Sequence, residues 1–77
     1  MHLDVVIGGF PRRMKCPELP LGRWIHGLKH SGTLDLRYDY MVTDDLGHPL
    51  DMSKTATANG LSDEKRIFVT MRPGEAA

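Results

Sequence analysis

The chain is predicted to be an α+β domain in which one helix covers one face of a mixed sheet of four to five strands. Three features predict this. A period-two apolar stretch opens the sequence, MHLDVVI, and a single stretch of helical period follows, LGRWIHGLKH. Further period-two stretches, DLRYDYMV and RIFVTM, fill the second half. A lone helix can shield only one side of a sheet, so the opposite side is left open.

In MHLDVVI the residues Leu3, Val5 and Ile7 share one face, and His2, Asp4 and Val6 share the other. GGFP then supplies glycines that accept positive φ and a proline that cannot donate to a ladder, which predicts a turn into RRMKC. There Met14 and Cys16 face inward while Arg13 and Lys15 face water, and the two strands form a hairpin. Leu21, Trp24, Ile25 and Leu28 follow at i, i+3, i+4 and i+7, the apolar stripe of an amphipathic helix. Pro20 precedes its first turn, where a missing N–H does no harm, and Ser31-Gly32 supplies a left-handed stop after Lys29 and His30. Gly22 and Gly27 weaken this helix by about 1 kcal/mol each relative to alanine, so packing must hold it.

TLDLRYDYMV is predicted as a long strand, with Leu34, Leu36, Tyr38, Tyr40 and Val42 inward and Asp35, Arg37, Asp39 and Met41 outward. DDLGH makes a turn, and HPLD is at most a short edge strand because Pro49 lacks a donor. MSKTATANGLSDEK has no sustained period; Asn59-Gly60 reads as a tight turn and Leu61 as a plug into the core. RIFVTM closes the domain, with Ile67, Val69 and Met71 inward and Phe68 and Thr70 outward. A right-handed crossover from the hairpin through the helix places the next long strand beside the first pair, and the last strand fits between. That order is a β-grasp.

Size and composition narrow the functional classes. The 77 residues make one small domain, expected over 1–72 with a short flexible tail at 73–77. A fold of this size buries only about 60% of the surface its unfolded chain exposes, which leaves little material for a deep enzyme cleft. Ten basic and ten acidic side chains cancel, so no net field favours nucleic acid or an acidic membrane surface. A single cysteine, the lack of a signal-like opening and the lack of a long apolar run lead us to expect a cytoplasmic protein with no membrane insertion.

His26 and His30 stand at i, i+4, as zinc ligands on a helix do, but they lie opposite the apolar stripe and no cysteine or carboxylate nearby completes a set. They read as a solvated face, and no metal or cofactor is expected. Cys16 reads as an inert core thiol by its inward parity. Asp44, Asp45 and Asp51, near His48, read as turn aspartates that bond the local backbone. The sequence holds no catalytic triad, phosphate loop or paired-carboxylate pattern, and the chain is read as a non-enzyme. The open face is more informative. Val6, Phe68 and Thr70 are expected there among Arg13, Lys15, Arg37 and Asp39, an apolar centre with a basic rim that suits protein recognition, with Phe68 as its anchor.

The opening MHLDVVI and the closing ATANGLSDEKRIFVTM give the whole chain a resemblance to ubiquitin-like proteins, above all to small bacterial ones such as the YukD-like accessory proteins of type VII secretion. The closing pattern is also similar to the B subunits of bacterial toluene monooxygenases. This resemblance implies a non-covalent protein-binding module or accessory subunit that docks through its open face. It also implies an alternative, a protein modifier. Conjugated relatives end in an exposed glycine pair, whereas here Arg72, Pro73 and Gly74 precede Glu75-Ala76-Ala77. A modifier of this kind would be trimmed by a peptidase to expose Gly74 and handled by activating and conjugating enzymes. Glycine suits that role because a residue without Cβ threads a narrow channel.

Overall fold

A computed structural model of the protein describes residues 1–72; the expected tail residues Pro73 and Gly74 lie outside the described residues. Strand β1 (His2–Ile7) turns through Gly8 and Gly9 into β2 (Phe10–Lys15). Both glycines hold positive φ, +59° and +83°, as a two-residue turn with the natural strand twist requires. Register runs from Ile7 opposite Phe10 to His2 opposite Lys15. The pairing continues past the strands, where the Cys16 N–H donates to the Met1 carbonyl at 2.8 Å.

Helix α1 (Leu21–His30) buries Leu21, Trp24 and Ile25, with Leu28 packed at the edge of the same core. No side chain caps its first turn. Its free N–H groups are instead met from across the molecule: Leu21 donates to the Lys54 carbonyl at 3.0 Å and Gly22 to the Met52 carbonyl at 2.9 Å. The approach favours a residue without Cβ, since a Cβ on Gly22 would stand 3.2 Å from the Met52 oxygen and the neighbour would have to give by a few tenths of an ångström. At the other end Gly32 takes φ +87°, and Thr33 and Leu34 both donate to the Leu28 carbonyl.

The expected long strand over 33–42 forms only at its end, as β3 (Tyr40–Thr43). Asp35 breaks the extended run. Its carboxylate accepts the Arg37 N–H at 2.9 Å and its carbonyl accepts the Tyr38 N–H, which folds the segment into a turn. Leu34 still reaches the core at 5% exposure, but Leu36, predicted inward, is 58% exposed, and Arg37 and Asp39 stand before the strand rather than in it. Asp44 holds the next turn by accepting the N–H groups of Leu46 and His48, both at 2.9 Å, and Pro49 contributes only an isolated bridge to Thr43. Across 51–60 the fixed point is Asn59. Its side-chain oxygen accepts the Asp51 N–H at 2.8 Å, and its amide nitrogen donates to the carbonyls of Asp51 and Thr55. Leu61 plugs the core at 8% exposure, as expected.

Strand β4 (Arg66–Met71) lies between β1 and β3, giving the order β2-β1-β4-β3, parallel to β1 and antiparallel to β3. The approach to it passes through Glu64, whose φ is +67° and whose N–H donates to the His2 carbonyl at 2.7 Å. Leu3, Val5, Ile67 and Val69 form the centre of the core, each 2% exposed or less. Met71, predicted inward, is 56% exposed, because β4 runs two residues past the point where its ladder with β1 ends at Val69.

The two helix glycines are therefore unlike. Nothing lies within 4 Å of a Cβ placed on Gly27, so Gly27→Ala should stabilise the fold by about 1 kcal/mol in urea unfolding. Gly22→Ala should lose that gain to the crowded Met52 carbonyl and unfold at a lower urea concentration than Gly27→Ala. Acid should weaken the fold as well. Side-chain and backbone hydrogen bonds from Arg37 lower the Asp35 carboxyl to about 2. A carboxyl with a depressed folded pKa adds stability above its unfolded value, near 3.9, and that stability is lost as pH falls towards about 2. Asp35→Asn should flatten the unfolding-free-energy curve between about pH 4 and 2, measured by urea titration at each pH.

Candidate functional site

Strand parity and register assign the face away from the helix. Across its middle, Pro11, Val6, Phe68 and Thr43 lie side by side on β2, β1, β4 and β3. Towards one end, Thr70 and Met41 extend this row. Phe68 and Val6 are half-buried, so each presents an apolar flank while its base is held by neighbours.

At that same end β1 has already turned away, and the overhang of β4 leaves a notch. It has a volume of about 420 Å³ and wraps the end of the sheet, lined by Val6, Phe68 and Thr70 of the open face, by Ile7, Tyr40, Val69 and Met71 of the opposite parity, and by the Gly8-Gly9 turn. The lining is mostly apolar: the two glycines bring no side chains, and its polar groups are the hydroxyls of Thr70 and Tyr40, the latter accepting the Asp35 N–H at 3.1 Å. An apolar concavity beside a half-buried aromatic ring can take an aliphatic or aromatic side chain from another molecule.

The other end of the face is ionic. Arg66 pairs with Asp4 at 2.6 Å, and Arg13 pairs with Glu64 at 2.8 Å. The Arg13 guanidinium, hydrogen-bonded to Glu64, holds that carboxyl below its ordinary value. These pairs are exposed and contribute little to stability, but the second neutralises Arg13 of the expected basic rim. Lys15 is exposed opposite His2 at the edge of the sheet. Arg37 is bound to Asp35 at 2.8 Å and stacks over the Tyr38 ring at 5.4 Å, in the loop before β3. Asp39 turns to Lys29 of the helix at 3.6 Å.

The structure thus brings Val6, Phe68, Thr70, Arg13 and Lys15 onto one face and sets Arg37 apart from it. Pro11, Met41 and Thr43 join the face without having been singled out, as does the notch at its end. Their outward parity was readable, but the pairing that places them beside Phe68 was not. Cys16 is fully buried, and burial pushes its thiol above the ordinary value. Among the described residues, no group of three or more His, Cys, Asp and Glu side chains is arranged to hold a metal ion.

These features define a ubiquitin-like β-grasp, one helix on a four-stranded mixed sheet. No family model matches the chain, and no curated protein matches it in sequence. Solved structures do. The ubiquitin-like domain of EccD5 from Mycobacterium xenopi superposes with a TM-score of 0.73 at 15% identity, covering 92% of this chain and 92% of that one. ATBAG1, solved in complex with HSP70, gives 0.73 at 10% identity over 99% of this chain. Protomer 1 of the ESX-3 core complex gives 0.71 at 20% identity over 95%. The chain spans 42% of the ATBAG1 chain and 16% of the ESX-3 protomer, so in both the similarity is to one part of a longer protein. At these identities the likeness is one of fold.

Proposed function

We propose that the protein is a small non-covalent docking module, an accessory subunit that binds another protein through its open sheet face. The observation that carries this reading is the division of that face. One end is an apolar row with a notch at its margin, built on Val6, Phe68 and Thr70, and the other end is polar and ion-paired. An apolar centre bounded by charged side chains is the usual form of a protein-binding patch, and an aromatic residue at its middle carries much of the affinity. The structural neighbours support the same use, since one was solved bound to HSP70 and another belongs to the ESX-3 core complex. Val6 and Phe68 anchor the contact in this reading, Thr70 lines the notch, and Arg13 and Lys15 set the charge at the polar end of the face.

Phe68→Asp tests the proposal. The variant should keep the far-ultraviolet circular dichroism of the native protein yet fail to retain a partner identified by crosslinking and mass spectrometry. Leu46→Asp, at a turn residue 76% exposed, should retain the partner fully. Undiminished binding by Phe68→Asp would remove the sheet face from consideration.

The modifier reading uses a different part of the chain. Arg72 is exposed at the end of the sheet, where its N–H donates to the Asp39 carbonyl at 3.0 Å, and it fixes the point from which a tail would depart. If Gly74 is the conjugated residue, intact-mass measurement on protein from its native cells should find chains ending there and heavier adducts. Chains ending only at Ala77, with no adducts, exclude conjugation.

A further inference from the structure

The helix turns His26 and His30 away from the core, and the structure brings their rings together. Both residues are exposed, and the ring centroids stand 4.3 Å apart with the planes at 65°. Two imidazoles sharing one tetrahedral zinc ion, each with a bond of about 2.0–2.1 Å, place their centroids roughly 5.2 Å apart. The observed separation is within about 1 Å of that arrangement, and side-chain rotation on an exposed helix face supplies the difference. The spacing is fixed by the helix itself, since residues four apart lie one above the other.

The nearest cation in sequence does not compete for this position. The Lys29 ammonium is held 3.6 Å from the Asp39 carboxylate, and its side chain is only 16% exposed. On the His26 side lies a cleft of about 320 Å³, lined by His26, Lys29, Asp39 and Arg72 among others but not by His30.

We propose that His26 and His30 form a two-histidine site for a borderline transition-metal ion such as Zn²⁺, with its remaining positions open to water or to a side chain from a docked partner. Imidazole nitrogen suits such ions, whereas Mg²⁺ prefers oxygen. The site sits on the helix side of the molecule and does not depend on the sheet-face reading.

Isothermal titration calorimetry of the full chain with Zn²⁺ should show one ion per chain, and Mg²⁺ should show none. Each ligand raises the effective concentration of the other, so His26→Ala and His30→Ala should each weaken binding at least about tenfold, and the double variant hardly further. His48→Ala and His2→Ala should leave the affinity unchanged. The ion should also raise the Tm of the native protein but not that of either helix variant, because unfolding separates the two rings. Both substitutions are at exposed positions, and circular dichroism will confirm that the fold persists. Absence of binding up to about 1 mM Zn²⁺, or equal binding by the double variant, would overturn the proposal.

Discussion

The parallel pairing of the first and last strands is the constraint on which the fold depends. Val5 lies beside Ile67 and Ile7 beside Val69 in the middle of the sheet, and Leu3, Val5, Ile67 and Val69 are all but inaccessible to water. Parallel neighbours cannot be joined by a tight turn, so the chain between them has to leave the sheet and return. The helix is part of that excursion, and Trp24 and Ile25 cover the shared apolar row. Because these contacts join opposite ends of the chain, none of them can form until nearly all of it has been gathered in.

The same pairing makes the exposed face uneven. β1 ends where the glycine turn begins, while β4 continues beside β3, and this mismatch of strand lengths creates the notch. At the opposite end Arg13 of β2, Asp4 of β1 and Arg66 of β4 come together with Glu64, and the charges meet in pairs. Apolar and ionic halves therefore follow from where strands stop, as well as from which residues they contain.

Period-two and helical patterns were enough to find the hairpin, the helix and the closing strand, because each buries one clean face. The failure at Leu36 has a local cause. Its parity was correct for a strand, but a single Asp side chain two residues before Arg37 offered the backbone a competing hydrogen bond, and the alternation carried no trace of that competition. Gly22 shows another limit. Its unfavourable helix propensity was visible, while the Met52 carbonyl that crowds this position comes from thirty residues away in the sequence. On the sheet face, Val6, Phe68 and Thr70 were legible from parity alone. The Asp4–Arg66 and Arg13–Glu64 pairs were not, since they join segments more than fifty residues apart.

The way α1 begins has a consequence for motion. With no capping side chain of its own, the helix borrows the carbonyls of Met52 and Lys54, and the segment that offers them is in turn pinned by Asn59. Helix start and irregular segment thus form one mechanical unit: neither can fray without stripping partners from the other. Amide protons on both should exchange with solvent together, even though one is regular and the other has no repeating structure at all.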